Sequence, residues 1–241
     1  MDNRIRRRWF QSFALALISL TAAVTVVAAP NQISVGGTRL AIPTPNGYAP
    51  VTPAMKVLNR FLDNLVPPNN KRFLTFIPQT EVQRALKDEI PNLERTLNVQ
   101  VSRRIENAKL SQANFAQVKT LLRQENNKIF EQVRRGLPTS TNRINQATEN
   151  QFNVNSALQI SNIIPLEPHE ESARTMAFSL LAKVNATGEN GQRISDTIAG
   201  TATLVYVRQK FLFLYCYGGE KDLQWTRTAS KNWTAAVLAA N

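Results

Sequence analysis

One cysteine, Cys216, and one histidine, His169, are the whole supply of the usual zinc-binding side chains in a chain of 241 residues. A zinc site needs several such ligands and an intrachain disulfide needs two thiols, so neither is expected and the core must hold the fold unaided. No Gly-x-Ser-x-Gly elbow is present for a His-based hydrolytic triad. The glycines Gly36-Gly37, Gly188, Gly191 and Gly218-Gly219 fall in turn segments and form no phosphate-cradling loop. No cofactor is expected. Acidic residues are also scarce, 17 against 29 Lys and Arg, which leaves a net charge of +12. Only one apolar run approaches membrane-spanning length, and it lies at the N-terminus.

That run explains the first thirty residues. Arg4, Arg6, Arg7 and Arg8 precede an uncharged stretch from Trp9 to Ala29, the order of a secretory signal. Small residues at Val26 to Ala29 fit a cleavage site, and Pro30 disfavours a cut directly before it. The reading is a signal peptide over 1–28 and a mature periplasmic chain from Ala29; left uncleaved, the same stretch would anchor the protein to the inner membrane. The Arg7-Arg8 pair leaves the Sec and twin-arginine routes both open.

Beyond it, residues 29–53 read as an extended, Pro-rich segment, with Ile33 to Ile42 broken at Gly36-Gly37. Residues 54–241 read as one domain. Thr52 as N-cap and Pro53 as first helical residue predict a helix whose stripe is Met55, Leu58, Leu62 and Leu65, stopped by Pro67-Pro68. Strands are expected at Arg72 to Ile77 and Leu97 to Val101, with a short helix from Thr80 to Leu86 between them. Ser111 caps a long helix carrying Phe115, Val118, Leu122, Ile129 and Val133 on one face, ended by Gly136 and Pro138. The Thr-, Asn- and Gln-rich stretch 136–156 has no apolar period and reads as a mobile loop.

Four β-rich segments follow, at Leu158 to Leu166, Met176 to Ala186, Ile194 to Val207 and Phe211 to Tyr217. Asn190-Gly191 is a type I′ hairpin signal. The last segment is apolar on both faces, so both faces of its sheet must be covered. Leu223, Thr226, Ser230, Trp233 and Val237 then mark a closing helix anchored by Trp233. The fold class is α+β: an antiparallel sheet with helices packed on both faces.

Phe211-Leu-Phe-Leu-Tyr-Cys-Tyr-Gly218 with Asp222-Leu-Gln-Trp-Thr-Arg-Thr-Ala-Ser-Lys-Asn-Trp233, and Ile42-Pro-Thr-Pro-Asn-Gly-Tyr48, resemble segments of a group of uncharacterised exported proteins of Gram-negative bacteria. The strand order closing on a Trp-bearing helix is similar, more loosely, to the PsbP-like α/β/α sandwich, from which the long helix and the Asn-rich stretch depart. Neither resemblance implies an activity.

Candidate chemistry is sparse. Glu167, His169 and Glu170 could serve an envelope enzyme that works with carboxylates and hydroxyls, although a polar turn between two strands, its acids solvated, is the simpler reading. Thr197, Thr201 and Thr203 line one side of their strand. The charge is unevenly spread: residues 39–143 hold 17 basic and 8 acidic residues, whereas 144–241 hold 8 of each. With the signal removed, four arginines and one aspartate are lost and +9 remains. The expectation is therefore a non-enzymatic binding or scaffolding protein of the cell envelope. Its basic helical half, with Arg103, Arg104, Lys119 and Arg123, would face an anionic partner such as a lipid headgroup, lipopolysaccharide, an acidic glycan or another envelope protein. Nucleic acid is an improbable partner for an exported protein.

Overall fold

Gly36 and Gly37, both at positive φ, turn β1 (Asn31–Val35) back onto β2 (Thr38–Ile42). A Cβ on Gly36 would stand 2.2 Å from the Glu106 carbonyl oxygen, so no other residue fits there. The computed structural model describes residues 30–89, 91–152, 157–187 and 193–241. The signal-like segment 1–28 and the Asn190-Gly191 turn lie outside them. Among the described residues no helix is long and apolar enough to cross a membrane.

The main sheet comprises β3 (Tyr48–Pro50), β4 (Asn70–Pro78), β5 (Thr96–Ser102), β6 (Ala157–Pro165), β7 (Glu170–Glu171), β8 (Thr175–Thr187), β9 (Arg193–Val207) and β10 (Lys210–Gly219). Its order is β3-β4-β5-β10-β9-β8-β6, with the two-residue β7 also on β8, and every pair is antiparallel. β10 lies at the centre, as its two-sided apolar pattern requires. Leu212, Leu214 and Cys216 face one side with Val99, Val205 and Phe76, where the closing helix α5 (Leu223–Ala239) brings Trp233 and Val237. The Trp233 ring meets Phe76 edge-on at 5.6 Å, and its Nε1 donates to the Pro43 carbonyl.

The opposite side receives α1 (Lys56–Leu65), α3 (Gln112–Gln124) and α4 (Asn126–Phe152). Leu58 and Leu62 of α1 bury against Ile77, together with Ala85 of the short α2 (Val82–Leu86). Phe115 of α3 packs with Leu204 and Phe211. Leu137 of α4 packs with Leu180, Ile163 and Ala182. Helices therefore cover both faces of an antiparallel sheet, the expected α+β class.

Three local readings are corrected. α1 starts at Lys56, not Pro53, because the Thr52 carbonyl is taken by the Met55 N–H and the Asn59 amide in a preceding turn. The long helix from Ser111 is two: Ser111 and Asn114 form a capping box for α3, which ends where the Glu125 N–H caps onto Leu121. Residues 136–152, read as the larger part of a mobile loop, are helical instead, and Gly136 and Pro138 lie inside α4. Proline forfeits one helical donor, but Thr141 and Ala147 are buried and the helix is fastened by side-chain bonds that no apolar period announces. Residues 153–156 lie outside the described residues.

The β9–β10 turn is the two-residue loop Arg208-Gln209, with φ of 46° and 63° and no glycine to relieve it. It is fixed from outside: Gln209 accepts from the Leu110 N–H, and Tyr206 Oη donates to the Leu110 carbonyl. Lys210, 1% exposed, donates from Nζ to the carbonyls of Glu106 and Ala108.

Candidate functional site

Two members of the threonine row, Thr201 and Thr203, prove to be structural. Thr201 bridges Ser179 and Thr226, and Thr203 bonds Ser230 at 2.6 Å, so β8 and β9 are zipped to α5 by buried hydroxyl pairs. The aromatics of β10 pack rather than form an open platform: Phe211 is buried, and Phe213, Tyr215 and Tyr217 are half-buried. Phe213, Tyr215 and Tyr217 stack along the strand, and burial pushes the Tyr215 phenol up to about 12. Burial likewise raises the Cys216 thiol to about 12, which leaves it protonated and unreactive at neutral pH.

The surface has two polar hollows of interest. The first, of about 550 Å³, is lined by Arg123 and Gln124 of α3 and by the run Glu167, Pro168, His169, Glu170 and Glu171. β7 builds it: Glu170 pairs with Ala177 and Glu171 with Met176, so the two carboxylates leave opposite faces of the strand. Glu171 turns toward α3 and holds both Lys119, at 2.9 Å, and Arg123. Those two cations hold the Glu171 carboxyl below the usual carboxylate range. Lys119 also donates to the Ser172 carbonyl, and its Nζ lies 5.5 Å from the centre of the Phe115 ring. Partial burial, then the nearby Arg227 charge, lower the His169 pKa against the opposing pull of Glu170, so this imidazole is neutral at pH 7. Among the described residues no side chain hydrogen-bonds the His169 ring, and no set of three acidic, His or Cys side chains is placed to hold a metal. The hollow thus gathers Glu167, His169 and Glu170 on one surface.

The second hollow, of about 390 Å³, lies at the C-terminal end of α1. It is lined by Asp63, Asn64, Val66, Pro67, Pro68 and Asn70, and by four cations: Lys71, Arg72, Arg103 and Arg143. Arg72 is spent internally, on Asp63, on Asn59 and on Thr75, and its side chain is 9% exposed. Lys71 pairs with Glu106 at 2.5 Å. Arg103 and Arg143 differ. Each is tethered through Nε to a backbone carbonyl, Arg103 to Pro68 at 3.2 Å and Arg143 to Asn64 at 2.8 Å. Neither has a carboxylate within ion-pair distance among the described residues. The turn between them is stiff, since Asn70 N–H bonds Pro67, Arg103 N–H bonds Asn69, and the Asn70 amide donates to Gln100.

Of the four basic residues singled out in the sequence, Lys119 and Arg123 converge on Glu171, Arg103 lines the second hollow, and Arg104 is exposed in the adjoining turn and lines neither. Arg143 carries no sequence signal of its own: it stands in the stretch read as a loop, and 40 residues of chain separate it from Arg103.

The described geometry can be set beside known proteins. No family model matches this chain, and no curated protein does. Among solved structures it is similar to the Ran-binding protein Mog1p of Saccharomyces cerevisiae, at 8% identity and a TM-score of 0.33, over 88% of this chain and 93% of that one. It is similar also to the cyanobacterial PsbP (CyanoP) of Synechocystis sp. PCC 6803, at 9% identity and a TM-score of 0.31, over 89% and 94%. Superpositions this loose carry no residue-level or functional argument.

Proposed function

We propose that this chain is an exported, non-enzymatic binding protein of the periplasm, whose basic half takes an anionic component of the envelope at the hollow beside α1. The observation that carries this reading is the pair Arg103 and Arg143, two guanidinium groups with no acid partner among the described residues, held by their Nε atoms beside Lys71. A structural role alone accounts for part of this, because cations at a helix C-terminus satisfy its last carbonyls. The helix end supplies only about half a negative charge, however. Four cations against Asp63 and the neighbouring Glu106 exceed what it requires.

Lys119 and Arg123 are assigned a different role, a clasp between α3 and the sheet edge through Glu171. The test is co-sedimentation of the signal-free protein with anionic and neutral vesicles across a salt series. Binding should be confined to the anionic vesicles and should fall steeply as salt screens the contacts, over about 10 Å at 0.1 M. Exchange of Arg103 and Arg143 for Gln should remove it, whereas exchange of Lys119 and Arg123 should not. Equal binding to both vesicle types would overturn the reading. The alternative, an envelope enzyme at Glu167, His169 and Glu170, has in its favour only that those residues share the first hollow. It would be supported by an activity that His169→Ala abolishes.

A further inference from the structure

We infer that the hollow beside α1 is a phosphate-monoester site, in which the open Nη edges of Arg103 and Arg143 grip one dianionic phosphoryl group; this rests on the anion-binding reading above. Each guanidinium has two hydrogen-bonding edges. The tether through Nε, to Asn64 in one case and to Pro68 in the other, occupies one edge and fixes the plane of the group. The edge formed by the two Nη atoms is left over, and it matches a pair of phosphate oxygens bidentately.

Pre-organisation of this kind removes much of the ordering cost that a free surface arginine incurs on binding. The tethers themselves are built on rigid parts: Asn64 ends α1, and Pro68 stands in a Pro-Pro turn pinned by Asn70 and by the Arg103 backbone. Two forks on one group favour a ligand with three terminal oxygens and two charges over a carboxylate, with two oxygens and one. Lys71 adds a nearby point charge, and Asn64 and Asn70 also line the hollow. The hollow is open, so the substituent can be a small sugar or glycerol or the glycerol backbone of a lipid.

The experiment titrates the signal-free protein calorimetrically with glycerol phosphate, and in parallel with vesicles of phosphatidic acid, a monoester, and of phosphatidylglycerol, a diester. Glycerol phosphate should bind, and its affinity should rise between pH 5.5 and 7.5 as the second phosphate proton, of pKa about 6, is lost. Phosphatidic acid should be preferred over phosphatidylglycerol if the lipid is the source, and equal weakness toward both vesicles would assign the site to soluble monoesters. Arg103→Lys and Arg143→Lys should each lower affinity about tenfold although the charge is kept, because lysine offers no fork. Lys119→Gln with Arg123→Gln should leave affinity unchanged, and melting curves identify any variant that has lost its fold. If the two lysine variants bind as tightly as the parent, or if acetate binds as well as glycerol phosphate, the phosphate site is wrong while anion binding survives. If no anion binds at low salt, both readings fail.

Discussion

The face under α5 and the face under α1, α3 and α4 are held by different chemistry. Under α5 the contacts are Trp233 and Val237 on Leu212, Leu214 and Cys216, interleaved with hydroxyl pairs that leave Thr234 Oγ1 as the one buried side-chain polar atom without a partner among the described residues. On the other face the apolar contacts among the described residues form separate islands around Leu58, Phe115 and Ile163. Between these islands, directional bonds from polar side chains do the fastening. Asn145 donates to the Leu158 carbonyl and accepts from the Leu158 N–H, Arg134 reaches the Ile163 carbonyl, and Arg143 reaches Asn64. A continuous apolar contact leaves little room for a ligand between helix and sheet. Islands linked by polar bonds leave more: the second hollow opens on that face at the end of α1, and the first lies at the sheet edge where β7 meets α3.

The comparison breaks most visibly at Trp233. Truncation to Ala removes a 3% exposed indole that meets Phe76 and donates to Pro43, at an expected cost of about 3–5 kcal/mol. A urea midpoint that hardly moved would mean that α5 is not the apolar anchor of the sheet.

The same division decides what the sequence could disclose. α5, β9 and β10 were legible because burial is non-directional and leaves a period: Leu223, Thr226, Ser230, Trp233 and Val237 recur at helical spacing whatever they touch. β8 and β9 announced themselves by alternation, and even the hydroxyl zipper was visible as a Thr row, though not its partner. α4 left no such trace. Its bonds run from Asn145 to Leu158 and from Arg143 to Asn64, pairs that tertiary structure alone brings together, and polar residues with this composition look the same in a loop. The second hollow was half visible for that reason. Arg103 stood in a basic cluster, while Arg143 depended on a helix that the apolar period could not reveal.

Asn145 offers a sharper test of the polar face. β6 is an edge strand, and its outward backbone groups would be open to pairing with another chain. Asn145 occupies both groups of Leu158 at 3.0 and 2.8 Å, so Asn145→Ala strands a donor and an acceptor, at an expected cost of about 1–3 kcal/mol. Faster amide exchange at Leu158 should accompany the loss, together with a greater tendency to associate at high concentration. An unchanged exchange rate would show that α4 covers the edge by other means.

The smallest effect separates the two faces by pH. Each has a carboxylate clasp whose acid is shifted: Asp222 holds Arg95 beside α5, and Glu171 holds Lys119 and Arg123 beside α3. Both carboxyls are held below their ordinary pKa by these partners. A lowered folded-state pKa means that the unfolded chain takes up the proton first as pH falls. The stabilisation is therefore complete above the unfolded value of about 4.3 for Glu and is lost as pH drops through the lower folded value. Glu171 is partly exposed, so screening limits the clasp, and Glu171→Gln should cost no more than about 1 kcal/mol at pH 7. The gap between parent and variant in urea should narrow as pH falls below the unfolded value and close once the parent's carboxyl is protonated in the folded protein as well. Because His169 and Asp222 titrate in both proteins, the difference between them reports on Glu171 and its two cations. A gap that does not narrow as pH falls below about 4.3 would assign the effect to packing around β7 and remove the electrostatic clasp from the account of the polar face.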